Sequence, residues 1–302
     1  MVRTILSDNL IRLIEKLNLN NVYEIRLRRN CPVIINYLGE NIRLKNDSGE
    51  NVYVTNVMLE QVLKKATEYS LYAFNSQIKQ GFITARGGIR IGIAGESVNS
   101  DNFVPTTIKN INSINIRIPH EVIGCSKQAF KFIYNKESGV KNTLIIAPPG
   151  AGKTTFLRDI CRNFSQIQDK IYNTLLVDER FEISSTVNGD CMLDVGMYTD
   201  VVSGANKMFA FTNGIRSLKP DIIITDELMG GEDVEACKRA IKSGVKVIAS
   251  VHANNHREIM DRVEFKELIT ARYFERIITL SNRCGPGMVE TILDENLNCI
   301  YF

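Results

Sequence analysis

The two halves of the chain differ in the way that hydrophobic and polar positions alternate. In the first half, helical spacing gives two apolar faces, one with Leu10, Leu13, Ile14 and Leu17 behind Ser7 or Asp8, and one with Leu59, Val62, Ala66 and Tyr69. Alternation with a period of two predicts strands in EIRL, in PVIINYLGENIRL as a hairpin around Gly39, in GGIRIGIAGESV and in INSINIRI. We therefore predict a smaller α+β N-terminal domain over residues 1–124, ending at the Pro- and Gly-containing segment PHEVIG.

The second half replaces alternation with short, uninterrupted apolar runs. TLIIA, TLLVD, DIIIT and KVIASV are separated by segments of helical spacing. A strand without alternation is typical of a sheet that is buried on both faces, such as a parallel sheet covered by helices. Residues 125–302 are therefore predicted to form an α/β domain.

Composition adds few restrictions. A length of 302 residues and a hydrophobic fraction of 44% allow two domains with a core in each. No run approaches the roughly 18 consecutive apolar residues of a membrane span, and MVRTILSDNL becomes polar too early for a signal peptide, so we expect a cytoplasmic protein. Seven cysteines without a C-x-x-C pair predict reduced thiols rather than a zinc site or disulfides. The net charge of +3 is too small to indicate nucleic acid binding by itself, although EIRLRRN is locally basic.

Residues 145–160, IIAPPGAGKTTFLRDI, lead from an apolar run through a glycine-containing loop into helical spacing. They fit the phosphate-binding pattern G-x-x-x-x-G-K-[ST], except that Ala147 occupies the first glycine position, where a strand end tolerates a Cβ. Gly150 and Gly152 would let the loop turn its N–H groups inward through positive φ. Lys153 would reach the β and γ phosphates of ATP, and the Thr154 hydroxyl would bind Mg²⁺. The predicted nucleotide-binding residues are Pro149, Gly150, Ala151, Gly152, Lys153, Thr154 and Thr155.

Two acidic segments end predicted strands and supply what hydrolysis needs. In PDIIITDELMGGED, Asp226 could hold the Mg²⁺ shell and Glu227 could act as the base for the attacking water. In VDERFEIS, Glu179 belongs to a cluster that could complete the γ-phosphate side, and it is the alternative base. Each segment also has a structural alternative, a helix N-terminal cap for the first and a surface turn with weak ion pairs for the second.

His252 ends the next apolar run, in ASVHANN, where the carboxyl end of a strand faces the ligand crevice of an open α/β sheet. A polar sensor of the γ-phosphate is the preferred role, and a core histidine is the alternative. His252 and His256 have the i, i+4 spacing of zinc ligands. No Glu follows His252 and no third ligand is evident, so zinc is not predicted.

Several of these motifs together resemble a known family. In chain order, the phosphate loop, VDERFEIS, DIIITDE and SVHAN resemble the Walker A, Asp box, Walker B and His box of the type II and type IV secretion ATPases. In the first half, EIRLRRNCPVII, SLYAFNSQIKQGFITARGGIRIGIAGE and IKNINSINIRI resemble the stage III sporulation protein AA family of spore-forming bacteria, so the likeness spans nearly the whole chain. The resemblance implies a RecA-like P-loop NTPase core and a cytoplasmic ATPase. It also implies a homo-hexameric ring at the mother-cell base of the channel complex between mother cell and forespore.

By position, the resemblance assigns nucleotide-site roles to a set of residues that includes two arginines of the N-terminal strands: Lys153, Thr154, Glu179, Asp226, Glu227, His252, Arg90 and Arg117. One departure is Ala147. The other is the Asp-Glu pair at Walker B, where many pilus motors have Gly-Glu, which leaves open whether Asp226 or Glu227 touches the metal shell. In INSINIRI, Arg117 alternates with isoleucines and so lies on the polar face of its strand, either as an arginine finger or as a solvated side chain.

The sequence thus predicts an ATP hydrolase that works on membrane proteins of a sporulation channel and lacks a membrane span of its own. The main alternative is a RecA-like motor stimulated by nucleic acid. A scaffold that binds ATP without hydrolysing it is disfavoured because both candidate acids, Asp226 and Glu227, are present.

Overall fold

The computed structural model describes residues 2–99, 105–119, 121–283 and 287–301. Its backbone divides into two compact units, one of Met1–His120 with Ser185–Met192 and one of Glu121–Ser184 with Leu193–Phe302. We call them the N-terminal unit and the C-terminal unit. None of the helices within the described residues is both long enough and apolar enough to cross a bilayer.

The N-terminal unit is built around an antiparallel sheet. Its described helices and strands are α1 (Asp8–Ile14), β1 (Val22–Arg28), β2 (Ile34–Tyr37), β3 (Glu40–Arg43), α2 (Asn56–Ala66), α3 (Asn75–Lys79), β4 (Phe82–Ala85), β5 (Ile89–Asn99) and β6 (Pro105–Arg117). The strand order is β3-β2-β1-β6-β5-β4, and neighbouring strands are antiparallel. Ile25 and Leu27 of β1 are buried, whereas Glu24, Arg26 and Arg28 beside them are not. The sheet therefore has one apolar face and one polar face.

The hairpin predicted around Gly39 is confirmed. β2 and β3 pair at Tyr37 and Glu40, and both residues between them, Leu38 (φ 54°) and Gly39 (φ 91°), are left-handed. Two left-handed central residues define the type I′ turn, whose twist matches that of the antiparallel strands on either side.

The two helices that the sequence predicts in the N-terminal half, α1 and α2, end earlier than their apolar spacing predicts. α1 stops at Ile14, so Leu17 lies beyond it, although Leu17 still packs against the core. Ser7 is the N-cap residue of α1, but its side chain makes no capping hydrogen bond. α2 stops at Ala66, and Tyr69 is exposed beyond it with φ at 64°. A left-handed backbone cannot continue a right-handed helix, so apolar spacing alone overestimates the length of α2.

The C-terminal unit is an α/β structure. Its described elements are α4 (Lys127–Ile133), β7 (Tyr134–Asn135), β8 (Gly139–Val140), β9 (Thr143–Ala147), α5 (Lys153–Ser165), β10 (Thr174–Asp178), β11 (Thr199–Ser203), α6 (Lys207–Ser217), β12 (Ile222–Glu227), α7 (Gly231–Lys242), β13 (Lys246–His252), α8 (His256–Met260), α9 (Val263–Thr270), β14 (Arg276–Ser281), β15 (Met288–Asp294) and β16 (Cys299–Tyr301). The main sheet has the order β11-β10-β12-β13-β9-β14-β15-β16. Strands β11 to β14 of this order run parallel, and β15 and β16 extend one edge in antiparallel pairing.

The four apolar runs of the sequence are the strands β9, β10, β12 and β13, so the predicted parallel sheet is confirmed. Both faces of this sheet are covered. On β12, Ile223 belongs to one hydrophobic cluster with Phe211 and Cys237, whereas its neighbour Ile224 belongs to another with Phe156. Burial of successive side chains is the reason that the runs show no alternation.

A buried carboxylate anchors α5, the helix that follows the phosphate loop. Asp159 accepts hydrogen bonds from the backbone N–H groups of Gly124 and Ser126, both at 2.8 Å, and from Arg162 at 2.9 Å. Burial alone would raise the pKa of Asp159, but the donors from Ser126, Gly124 and Arg162 together lower it below its usual value. The helix is thus fixed to the segment that precedes α4 by hydrogen bonds to a charged group, which are stronger than neutral ones.

Candidate nucleotide site

The loop between β9 and α5 has the backbone shape that a phosphate site requires. β9 ends at the buried Ala147, and α5 begins at Lys153. Gly150 (φ 74°) and Gly152 (φ 82°) are both left-handed, as the sequence predicts. A side chain at either position would be strained by this φ, although an added Cβ at Gly150 would meet no atom within 4 Å. The two glycines are therefore needed for the backbone conformation of the loop, and N–H groups at the start of a helix such as α5 suit an anion.

Lys153 lies at the mouth of this loop. Its ammonium donates to the carbonyl oxygens of Ala147 at 3.2 Å and Pro148 at 3.5 Å. Burial lowers the pKa of Lys153, and the nearby Glu227 carboxylate opposes the shift. Carbonyl oxygens do not neutralise the charge of the half-buried ammonium. A phosphate would neutralise it through charge-assisted hydrogen bonds.

A cleft of about 490 Å³ opens in front of the loop within the C-terminal unit. This volume is within the range of small-molecule sites. Of the residues predicted from the sequence, its lining includes Pro149, Gly150, Gly152, Lys153, Thr154, Thr155, Asp226, Glu227 and His252. Ala151 is fully buried and absent from the lining, and its N–H donates to the carbonyl oxygen of Pro148 at 3.3 Å. The fold therefore brings together the phosphate loop, the β12 acids and the β13 histidine.

Asp226 and Glu227 both reach the cleft because β12 is irregular at this point. Thr225 pairs with Ala249 of β13, but the next pair is Glu227 with Ser250, so Asp226 is an extra residue in the strand. Adjacent residues of a regular strand point to opposite faces, and a bulge re-aims them. The bulge thus places two neighbouring carboxylates on one cleft.

The two acids have different environments. Asp226 is mostly buried, and its Oδ1 atom has no hydrogen-bond partner among the described residues. Burial raises the pKa of Asp226 to about 7, with Lys207 opposing the shift. The Glu227 side chain is more exposed, and its Oε2 atom lies 3.7 Å from a guanidinium nitrogen of Arg180. Asp226 is thus a buried acceptor, and Glu227 is the carboxylate that solvent can reach.

The residues of the second acidic segment, VDERFEIS, differ in their contacts. Asp178 is buried and accepts hydrogen bonds from the N–H groups of Glu182 and Ser184, both at 2.8 Å, so it shapes its own turn. Arg180 and Glu182 line the cleft. Glu179 is not among the lining residues, and its carboxylate instead accepts a hydrogen bond of 2.7 Å from Lys207. The alternative base is therefore held by an ion pair outside the lining.

His252 ends β13 directly beside Ala147, the residue that ends β9. It lines the cleft together with Ser250.

His256 begins α8, and burial lowers its pKa. Among the described residues, no group of three or more His, Cys, Asp or Glu side chains is arranged so that it could hold a metal ion. Cys284 lies outside the described residues, and no disulfide links the other six cysteines.

Arg90 and Arg117 lie on the polar face of the N-terminal sheet. They are cross-strand partners between β5 and β6, and Arg117 also faces Glu24 of β1, whose carboxylate is 4.0 Å from its Nε atom. The Arg90 guanidinium lies over the Phe82 ring at 4.5 Å, a cation–π contact. The predicted position of Arg117 on the polar face is confirmed, and its side chain is 65% exposed.

Lys207 is a site residue that the sequence reasoning missed. It is the first residue of α6, is almost fully buried and contacts both Glu179 and Asp226. One signal was available. A cation in the first turn of a helix opposes the helix dipole, so a lysine there needs nearby carboxylates to compensate.

Comparison with known sequences identifies the family of this chain. The family model described as Sporulation stage III, protein AA matches residues 1–300. This chain belongs to that family. It is 33% identical over 282 residues to stage III sporulation protein AA of Bacillus subtilis (strain 168), covering 92% of this chain and 89% of the relative. It is also 30% identical over 149 residues to the uncharacterized protein ycf45 of Cyanidium caldarium, covering 48% of this chain and 42% of that protein.

Solved structures extend the likeness to the fold. The pilus retraction motor PilT with bound ADP matches with a TM-score of 0.60 at 16% identity, over 90% of this chain and 78% of the other. The ATPase DotB of Legionella pneumophila matches with a TM-score of 0.56 at 15% identity, over 89% and 75% of the respective chains. The resemblance to secretion ATPases drawn from the motifs is thus confirmed for the fold, a mixed α/β structure with a RecA-like core.

Proposed function

We propose that this member of the sporulation family is an ATP hydrolase whose catalytic site is the cleft between the phosphate loop and the end of β12. The single observation that supports this most strongly is the cleft itself. Left-handed Gly150 and Gly152, the half-buried ammonium of Lys153 and the two acids of the β12 bulge line one cavity of about 490 Å³.

The residues of this cleft fit ATP and Mg²⁺. The loop N–H groups and Lys153 suit the phosphates, and Thr154, at the first turn of α5, offers a hydroxyl ligand. Asp226 lines the cleft with Thr154, and its carboxylate suits a water of the metal shell, while its Oδ1 atom lies 3.5 Å from the Lys207 ammonium. Bound MgATP would supply the electrophilic γ-phosphorus and neutralise charge on the leaving phosphates.

The remaining roles follow from accessibility. Glu227 is the better candidate base because it lines the cleft and is accessible to water, whereas Glu179 is engaged by Lys207. His252 stands on the strand beside the phosphate loop and would sense the γ-phosphate. Arg180 lies 3.7 Å from the Glu227 carboxylate and pairs with it at the cleft.

We propose further that hydrolysis moves the N-terminal unit and so works on membrane proteins of the sporulation channel, from the cytoplasmic face of the mother-cell membrane. Family membership supports the sporulation context, and the fold likeness to a pilus retraction motor supports mechanical work. A homo-hexamer is what the resemblance to secretion ATPases implies. Arg117 and Arg90 would act on ATP in such a ring.

The test is phosphate release by the purified protein, with its size measured by light scattering, each with and without nucleotide, anionic vesicles and duplex DNA. We expect Mg²⁺-dependent turnover, a ring that nucleotide stabilises and stimulation by a membrane component. A parental protein that neither binds nor hydrolyses ATP under any of these conditions contradicts the proposal.

The alternative of a motor stimulated by nucleic acid has one favourable observation, the arginines on the polar face of the N-terminal sheet, including Arg26, Arg90 and Arg117. That function would give ATPase stimulation by DNA and binding that weakens steeply with salt. Stimulation by vesicles but not by DNA decides against it.

A further inference from the structure

An ion cluster that shares Asp226 with the cleft is formed by the buried Lys207 with Glu179, Asp226 and Asp233. The ammonium is 2.7 Å from Glu179 Oε2, 3.5 Å from Asp226 Oδ1 and 3.6 Å from Asp233 Oδ2. The Lys207 side chain is 2% exposed. We call these four residues the Lys207 cluster.

The three carboxylates come from three separate elements. Glu179 directly follows β10, Asp226 is the bulged residue of β12, and Asp233 is in the first turn of α7. Lys207 itself begins α6. A single ammonium thus joins the carboxyl ends of two central strands to the starts of two helices.

Asp233 extends this connection to the segment after the candidate base. Its Oδ2 atom accepts a hydrogen bond of 2.8 Å from the backbone N–H of Met229, two residues beyond Glu227. The N–H of Leu228 is meanwhile bonded to the carbonyl of Ser250 at 2.8 Å. The backbone that carries Glu227 is therefore held from both sides, and one of the two supports depends on a carboxylate next to Lys207.

Burying the ammonium of Lys207 destabilises the fold unless nearby carboxylates compensate its charge. Burial alone would lower the pKa of Lys207, but Asp226, Glu179 and Asp233 together raise it above its usual value. The start of a helix is also the unfavourable end for a cation. Apolar residues fill buried space as well as an ion cluster does, so stability is a weak reason for such an arrangement and geometry is a better one.

We propose that Lys207 is a positioning residue of the cleft: it fixes Asp226 at the cleft wall, retains Glu179 outside the lining and steadies the segment that carries Glu227. This role rests on the proposed ATP hydrolysis and adds a residue to it. Lys207 touches neither the loop nor the space in front of it, because it is absent from the cleft lining. It therefore acts through the carboxylates and not on the nucleotide.

The role predicts an effect on turnover without an effect on binding. Lys207→Met keeps a long side chain and removes the charge. The phosphate loop and Lys153 are unchanged, so we expect KM for ATP and nucleotide affinity within about threefold of the parental values, and a kcat about 100-fold lower, the scale that a misplacement near 1 Å produces. Lys207→Arg, which keeps a cation, should recover part of the lost kcat.

Unpaired carboxylates could also make Lys207→Met fold poorly, so a second variant separates positioning from charge balance. Lys207→Met combined with Glu179→Gln removes one positive and one negative charge together, which restores the net charge of the cluster. We expect this double variant to regain most of the thermal stability and yet remain slow. A merely structural lysine would predict that stability and kcat together return to the values of the Glu179→Gln single variant.

The matched control is Lys238→Met. Lys238 is also a poorly exposed lysine of the C-terminal unit, at 13% for its side chain, but its ion-pair partner is Glu267 of α9 and it is not a cleft residue. Its variant should keep the parental kcat.

Three outcomes overturn the assignment of Lys207. They are a parental kcat for Lys207→Met, a kcat for the folded double variant equal to that of Glu179→Gln alone, and a loss of nucleotide affinity that equals the loss of kcat. A parental protein that hydrolyses no ATP contradicts the proposed function itself, and the role of Lys207 is then rejected with it.

Discussion

In the C-terminal sheet every residue of β9 and β10 is buried, whereas in the N-terminal sheet β1 alternates buried positions with exposed ones. The parallel sheet is covered by helices on both faces and has no free face on which polar groups can stand. Its chemistry is therefore confined to the carboxyl ends of strands, where Asp226, Glu227 and His252 lie. The antiparallel sheet keeps one polar face, on which Arg90, the second residue of β5, and Arg117, the last residue of β6, are cross-strand partners. Sheet coverage thus decides where each unit can place functional side chains.

The largest effect should come from the strand end that carries the phosphate loop. Lys153→Ala removes the half-buried ammonium and leaves phosphate charge uncompensated, so we expect it to abolish ATP binding or turnover. Equilibrium binding and steady-state phosphate release measure both. Lys242→Ala, an exposed lysine at the end of α7, is the matched control. Unchanged kcat and KM in Lys153→Ala would exclude the cleft as the catalytic site.

The second effect tests the polar face of the N-terminal sheet. Arg117→Ala should fold and bind ATP yet lose roughly 1,000-fold or more in hydrolysis, because an arginine finger stabilises charge in the transition state. Arg28→Ala, an exposed arginine of β1, is the control on the same face. Full activity of Arg117→Ala ends the idea.

Mixing sharpens this second test. If Arg117 acts on a neighbouring subunit, mixtures of Arg117→Ala and Lys153→Ala chains should regain part of the activity at mixed interfaces, since one variant supplies the arginine and the other the loop. Inactive mixtures indicate an arginine that acts within its own chain.

The third effect compares the two candidate bases. Glu227→Gln should bind ATP normally and slow turnover by roughly 100-fold or more, because an amide orients water but cannot accept its proton. Glu179→Gln should lose less, since this carboxylate is outside the cleft lining. Single-turnover hydrolysis alongside nucleotide binding measures the two steps separately. Parental turnover by Glu227→Gln would make Glu179 the better base.

The smallest effects test the comparison of the sheets directly, through stability. Ile223→Ala and Ile224→Ala, neighbours on β12 that belong to different clusters, should each lower the free energy of unfolding by ~2–5 kcal/mol. On β6, Ile116→Ala should cost a similar amount, whereas its neighbour Arg117→Ala should stay within ~0.5 kcal/mol. Urea unfolding of the variants measures these differences. A substitution at Ile223 or Ile224 that hardly changes the free energy of unfolding would contradict burial on both faces of the parallel sheet.

Much of this molecule was predictable because its signals are local. The apolar runs form β9, β10, β12 and β13, because a short run without alternation is typical of a strand that is buried on both faces. The left-handed Gly150 and Gly152 follow from the loop motif alone. Helix ends were less predictable, because the reversal at Tyr69 is a backbone event that apolar spacing does not encode.

The chemistry of the cleft depended on contacts between residues far apart in sequence. Nothing in DIIITDE indicates the bulge that turns both Asp226 and Glu227 to one cavity, because the bulge arises from pairing with β13. Nothing in VDERFEIS separates Glu179 from the cleft, because its partner Lys207 is 28 residues away. The sequence by itself determined the α/β class, the loop and the set of acids, since each is written in neighbouring residues. The tertiary structure decided which acid faces the cleft and which one pairs with the buried lysine, because those distances exist only after the strands and helices have packed.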